Sequence, residues 1–194
     1  MVDDDIALRR SAVDRGWESA VGRLRESTCA FDSALCGSAA SADGGMGATE
    51  GTAALLRALR PASEALRSAS GEVREAWDAR HSEIREAASR AETAGDVDAL
   101  FDVLGWVMSI EAAATEPPEL VRARASLVER SLASPAFFGP QAACQVAARD
   151  LSDIRSICRI DAELVSKAIA RARWARAAGS LLDDDEEKDA EARS

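Results

Sequence analysis

A series of apolar and small residues between Leu55 and Ala91 constrains the fold of this chain most, because its members recur every three or four positions. That spacing places its members on one face of an α-helix, whereas a strand would need a repeat of two. The run is unbroken only if Arg80 takes one of its positions. Its other members are Leu55, Leu59, Ala62, Leu66, Ala69, Val73, Trp77, Ile84, Ala88 and Ala91.

Similar spacing elsewhere predicts further amphipathic helices over residues 5–36 and 140–178, with steps close to a coiled-coil heptad. Because proline breaks or begins a helix, we expect Pro61 to separate a short helix over 52–60 from a long one over 61–93. Gly95 then ends the long helix, and Asp96 is the expected N-cap of the next segment.

The most apolar segment is VDALFDVLGWVMSIEAAA, residues 97–114. Asp98, Asp102 and Glu111 would each cost about 2.5–3.5 kcal/mol near a bilayer centre, so we do not expect a membrane span. On a helical wheel its apolar residues cover most of the circumference. This distribution predicts a central helix that its neighbours enclose. A shorter helix follows over residues 118–133.

Composition supports an all-α fold. The chain has 42 alanines, 4% aromatic residues and no tyrosine, and alanine is the best helix former. We therefore predict a bundle of about five helices forming a single domain over residues 1–180. A flexible loop rich in glycine, serine and alanine is expected at residues 37–51, and a disordered acidic tail at residues 181–194.

The formal net charge of −10 lies mainly at the two ends of the chain. Asp3, Asp4 and Asp5 carry part of it, and most of the remainder lies in the acidic tail. The body of the chain is therefore nearly balanced in charge. Arginine outnumbers lysine by 22 to 2, which is typical of a GC-rich coding genome, so arginine richness by itself does not indicate nucleic-acid binding.

The four cysteines, Cys29, Cys36, Cys144 and Cys158, do not form a metal-binding or disulfide pattern. Within each pair the separation along a helix would be about 10 Å or about 20 Å, which is too far for a disulfide. Pairing between the two helices remains open. With a single histidine and no CxxC, a zinc site is not expected. The start MVDDDIALRR lacks a signal-peptide run, so we expect free thiols and a cytoplasmic location.

Catalytic motifs are absent from the sequence. There is no phosphate loop, nucleotide fingerprint or nucleophile elbow, and Asp78-Ala-Arg-His81 is half of the paired motif that a di-iron site needs. We expect neither an enzyme nor a cofactor. The alternative is a small all-α enzyme with a site in the bundle interior near Glu111. The wheel places this carboxylate on the apolar arc, where it either reaches water or pairs with an arginine.

A basic stretch, KAIARARWAR, lies near the end of the last predicted helix, and it includes Lys167, Arg171 and Trp174. These residues, with Glu111, are the candidate partner-binding or buried polar residues. Nucleic-acid or membrane-surface binding through 167–176 is an alternative, although cations in the last turns of a helix also complement its own negative end. We expect a non-catalytic protein-binding bundle, acting as an assembly subunit, adaptor or chaperone-like factor. Its expected partner is another helical protein or a second copy, and not nucleic acid.

Overall fold

A computed structural model describes the backbone of residues 2–42 and 48–191 and the side chains of residues 14–37 and 50–178. The described residues form five α-helices and one short 3-10 turn, with no β-strand among them, which confirms the all-α class. In chain order the elements are α1 (Val2–Ala42), α2 (Ala48–Ala94), α3 (Val97–Ala113), α4 (Pro118–Ala133), the 3-10 turn (Pro135–Phe137) and α5 (Phe138–Glu191).

The outer helices extend further than their apolar periodicity indicates. α1 continues to Ala42 and α5 to Glu191, beyond the predicted ends at 36 and 178. Alanine, serine and charged residues can prolong a helix where no further apolar face has to be buried. The centre of the predicted loop, 43–47, and the side chains of the predicted acidic tail lie outside the described residues. Flexibility at both places therefore stays a prediction.

The expected break at Pro61 is wrong, because α2 is continuous through it. Leu59 and Leu66 are both fully buried on either side of the proline, which requires one helical register across it. Their burial is worth about 1.5–3 kcal/mol each and offsets the roughly 3 kcal/mol cost of a proline inside a helix. The Ser63 hydroxyl also donates to the Leu59 carbonyl at 2.7 Å, just beyond the proline.

The chain divides into two compact units. Unit 1 comprises Met1–His81 and Ala113–Arg155, and unit 2 comprises Ser82–Ala112 and Ser156–Ser194. Each unit therefore takes segments that are distant in the sequence. The two are considered separately below.

In unit 1, α1 and α2 run in opposite directions. Asp14 pairs with Arg80 at 2.6 Å, whereas Arg23, further along α1, pairs with the earlier α2 residue Glu72. The two tryptophans between these ion pairs, Trp17 and Trp77, meet edge to face with ring centroids 6.4 Å apart. Where the side chains of α1 and α2 are described, the large residues of the predicted apolar faces are buried.

The other two helical segments of unit 1 complete a four-helix arrangement. α4 runs in the direction of α1, because Arg25 donates to the Ala113 carbonyl at 3.3 Å, just before α4, and Asp32, further along α1, pairs with Arg122 of α4 at 2.9 Å. α5 runs in the direction of α2, because Arg67 donates to the Gly139 carbonyl at 2.8 Å and Ser70 donates to Asp150 at 2.7 Å. Unit 1 is thus a four-helix bundle in which two helices oppose two others.

In unit 2, the end of α2 turns into α3 as the sequence predicts. Gly95 has a φ of 64° and ends α2, and the Asp96 amide donates to the Ala91 carbonyl at 2.9 Å. One Asp96 carboxylate oxygen accepts from the amides of Asp98 and Ala99 at 3.1 Å each, which caps α3. Both the glycine stop and the aspartate cap are confirmed.

α3 forms at nearly its predicted bounds, but the expectation that its neighbours enclose it is wrong. One face is buried, with Leu100, Val107 and Ile110 almost inaccessible to water. Phe101 is exposed, and Met108 has 58% of its surface accessible. Among its described residues, unit 2 contains two other helical segments, one from α2 and one from α5. Two neighbouring helices can cover only part of the surface of α3.

Two charged side chains fill the gaps in the predicted apolar runs. Arg80 is 4% exposed on the buried face of α2 in unit 1, which confirms that it takes a position in that run. Asp161 takes the corresponding gap in α5 between Cys158 and Val165, and it is also buried. Hydrophobic periodicity locates such positions, although it does not show that an ionisable residue is buried there.

Candidate functional site

The four predicted site residues all lie in unit 2, and the structure does not bring them to one place. Glu111 is 27% exposed on α3, where its Oε1 accepts from the Nε of Arg159 on α5 at 2.8 Å. Arg159 itself is exposed. Glu111 is therefore half-buried and paired with an arginine at the surface of the unit.

Two cations of the basic stretch, Lys167 and Arg171, pair with carboxylates. Lys167 pairs with Glu163 one turn earlier on α5 at 2.7 Å, and this bond and charge lower the pKa of Glu163. Arg171 pairs with Glu92 near the end of α2. Arg176 donates to the Gly95 carbonyl at 3.4 Å. The expectation that these cations complement the end of their own helix is wrong, because α5 continues past them and two of them instead contact the end of α2.

An exposed stripe runs along α5 in unit 2. Trp174 is 76% accessible, and Ile160 and Leu164 are exposed on the same face. At 100° per residue these three residues, with Lys167 and Arg171, fall within about 80° of the helix circumference. We call these five residues the α5 stripe. They are Ile160, Leu164, Lys167, Arg171 and Trp174.

A shallow groove borders the α5 stripe. It consists of a hollow of about 170 Å³ beside Leu164 and a hollow of about 620 Å³ beside Arg171, and Glu92 lines both. We call it the α2–α5 groove. Its α2 wall carries Ile84, Arg85, Ala88, Ser89, Glu92, Thr93 and Ala94, with Gly95 just after the helix, and its α5 wall carries Asp161, Leu164, Val165, Ala168, Arg171, Ala172, Ala175 and Arg176.

The groove combines small side chains with an ion pair. Small residues such as Ala88, Ala168 and Ala172 line it and allow another backbone to approach closely. The Arg171–Glu92 ion pair joins its two walls and remains partly open to water. The groove therefore has an apolar floor and a polar border.

Sequence reasoning found three residues of this region, Lys167, Arg171 and Trp174, and missed the α2 side. Glu92 and Ala88 are ordinary members of a helical pattern, and nothing local marks them as neighbours of α5. Leu164 was also missed, because it falls outside the buried run of α5. The 160/164/167/171/174 spacing on the exposed face was a signal that could have located this residue.

Comparison with known protein families, with curated proteins and with solved structures found no match. In the part of the chain whose side chains are described, no group of three or more acidic, histidine or cysteine side chains could hold a metal ion. Across the same residues, no helix is both long and apolar enough to cross a membrane.

The cysteines differ in accessibility. Cys29 and Cys36 are exposed on α1, Cys144 and Cys158 are buried on α5, and no disulfide joins any of them. Burial raises the pKa of the Cys144 thiol from 9.0 to about 12, and the nearby Glu116 adds to the rise while Arg124 opposes it. Cys144 is thus an inert thiol of the interior.

Stability should fall in alkaline solution because of Cys144. The thiol ionises near pH 9.0 in the unfolded chain and near pH 12 in the folded one, so stability is complete below pH 9.0 and lost as pH rises towards 12. At pH 10 we expect the loss from this group to be about 1.4 kcal/mol. Urea denaturation from pH 8 to pH 10 measures it. The Cys144→Ala variant should lack this component and Cys29→Ala should keep it; identical profiles for all three proteins would contradict the assignment.

Proposed function

We propose that this chain is a non-catalytic protein-binding bundle that takes an amphipathic helix of a partner protein in the α2–α5 groove. The observation that carries the proposal is the α5 stripe, where Leu164 and Trp174 are exposed beside a groove lined by small residues. Large exposed apolar side chains bordered by polar residues, here Lys167 and Arg171, mark interaction surfaces in soluble proteins. The proposal fits an assembly subunit, an adaptor or a chaperone-like factor.

The spacing of the stripe supports a helical ligand. Ile160, Leu164 and Trp174 lie along about 21 Å of helix, at 1.5 Å per residue. A partner helix would place its own residues at steps of three and four against this row and fit its backbone over the alanines of the groove. Trp174 would then be the main anchor, since tryptophan is among the residues that contribute most to binding energy.

The polar border of the groove supports a protein ligand over nucleic acid. Arg171 is paired with Glu92, and Lys167 is paired with Glu163. Binding a phosphate backbone would compete with these carboxylates and bring Glu92 and Glu163 close to the phosphates. A polypeptide can satisfy both signs of charge at the rim. A cytoplasmic location belongs to the proposal, because reducing conditions keep exposed thiols such as Cys29 reduced.

The test is affinity capture of the full chain from cells that express it. We expect the wild-type chain to recover a helical partner, and the double variant Leu164→Glu/Trp174→Glu to recover at least about tenfold less of it, since two charges would face an apolar helix. The amount of partner in each eluate is measured by quantitative mass spectrometry.

Ser166→Glu is the matched control, because it adds a carboxylate to an exposed position of the same helix outside the stripe. It should capture as much partner as the wild type. Circular dichroism of all three proteins establishes that the helices are intact. Equal recovery by the wild type and the double variant, or no recovered partner at all, would refute binding through this groove.

A further inference from the structure

α4 in unit 1 carries two rows of mainly apolar residues, and the fold buries one of them. The inner row, Leu120, Ala123, Leu127 and Ser131, is buried in the four-helix arrangement. The outer row, Val121, Ala125, Val128 and Leu132, advances by four, three and four residues and is exposed throughout. Leu132 has 87% of its surface accessible. We call this second row the outer stripe.

We propose that a second copy of this chain covers the outer stripe, with the two α4 helices packed antiparallel about a two-fold axis. The axis passes between residues 126 and 127, the midpoint of the stripe. It places Val121 opposite Leu132 of the second copy and Ala125 opposite Val128 of the second copy. Such an interface is isologous, so each contact occurs twice.

The residue sizes fit the antiparallel arrangement. The small side chain of Ala125 faces the larger Val128 of the second copy, so the central layers fill evenly. In a parallel pair Ala125 would face itself and leave a gap in the middle of the interface. Gaps of that kind forfeit dispersion contacts and weaken association.

The charges beside the outer stripe are also self-complementary. Arg122 and Glu129 lie seven residues apart along one flank, and residues on the same flank face each other in an antiparallel helix pair. With the axis between residues 126 and 127, Arg122 lies within about 3 Å, along the helix axis, of Glu129 of the second copy, which is within reach of the two side chains. Arg122 is exposed, and one of its terminal nitrogens is bonded to Asp32 at 2.9 Å and to Glu119 at 3.2 Å in its own chain. These bonds fix the guanidinium and leave its other nitrogens to meet the carboxylate of the second copy.

The interface is small, because the outer stripe spans about 16 Å of one helix. We therefore expect a weak dimer with a dissociation constant of about 10–100 µM. Sedimentation velocity of the full chain from about 1 µM to about 200 µM should show a monomer at the lowest concentration and a growing dimer fraction above it. A monomer across the whole range overturns the proposal.

Two variants test which surface is used. Leu132→Glu should abolish the dimer within the same concentration range, and Glu129→Arg should weaken it at least about tenfold by facing arginine with arginine. Ala133→Glu is the matched control. It adds the same charge one residue away, outside the outer stripe, and should dimerise like the wild type. Dimerisation that survives Leu132→Glu overturns the assignment to this face.

Disulfide trapping tests the direction of the helices. With Cys29→Ser and Cys36→Ser as background, Ala125→Cys chains are mixed with Val128→Cys chains under mild oxidation. The antiparallel arrangement yields mainly the mixed 125–128 product, which mass spectrometry of the linked peptides identifies. Predominant 125–125 and 128–128 products overturn it in favour of a parallel pair. These results are independent of whether the α2–α5 groove binds a partner.

Discussion

We expect Trp77→Ala to lower the free energy of unfolding by about 3–5 kcal/mol, because it removes the largest fully buried side chain of unit 1. The Trp77 ring lies between two others. It meets Trp17 edge to face at 6.4 Å and stacks on His81 at 4.7 Å between ring centroids. Alanine would leave a cavity between α1 and α2 that a rigid helix pair cannot close, and it would abolish both ring contacts. Urea or guanidinium denaturation measures the effect.

Trp174→Ala is the matched control for that experiment. The same substitution is made at a tryptophan that is mostly accessible to water, so the expected change in stability is within about 0.5 kcal/mol. Trp77→Ala should therefore lower the stability of the fold, whereas Trp174→Ala should affect the binding of the proposed partner. Equal losses for Trp77→Ala and Trp174→Ala would mean that the packing of α1 on α2 is not as described.

We expect Arg80 to stabilise the α1–α2 interface more by the volume that its side chain fills than by its ion pair with Asp14. Arg80 is almost wholly buried and bonded to Asp14 at 2.6 Å. We expect Arg80→Ala to cost about 2–4 kcal/mol, since it removes the long side chain that fills this position in the apolar run. Arg80→Met keeps most of that volume and should cost less than about 1.5 kcal/mol.

Comparing Arg80→Ala with Arg80→Met shows whether packing or the ion pair is the source of the stability. Asp14 is partly open to water, so its carboxylate can be hydrated once the arginine is gone. If Arg80→Met were as costly as Arg80→Ala in chemical denaturation, the ion pair itself would be the source of stability. Arg85→Ala, at an exposed arginine of the same helix, serves as the control and should change stability by about 0.5 kcal/mol or less.

The helical faces could be predicted because hydrophobic periodicity is a local property. The buried row of α2 through Leu59, Leu66 and Trp77 follows from steps of three and four, and Gly95 and Asp96 end one helix and begin the next by their own backbone chemistry. Pro61 was misjudged because its local cost is opposed by the burial of leucines on both sides, and that gain exists only in the folded chain.

The candidate site could be predicted only in part. Lys167, Arg171 and Trp174 were singled out by residue type and by their place near the end of the last predicted helix. Glu92 and the alanine wall of α2 were not, because their role depends on α2 and α5 lying side by side in unit 2. When a residue lines a groove together with a segment that is distant in the sequence, the residues next to it in the sequence do not reveal this role.

By itself, the amino-acid sequence determined that this chain is helical, which face of each long helix is apolar, and where the turn at Gly95 falls. Each of these properties depends on residues within a few turns of one another. Only the tertiary structure decided that α3 leaves Phe101 and Met108 accessible, that Arg171 meets Glu92, and that the outer stripe of α4 is uncovered. Accessibility depends on how many neighbours surround a helix, and that number is a property of the assembled fold.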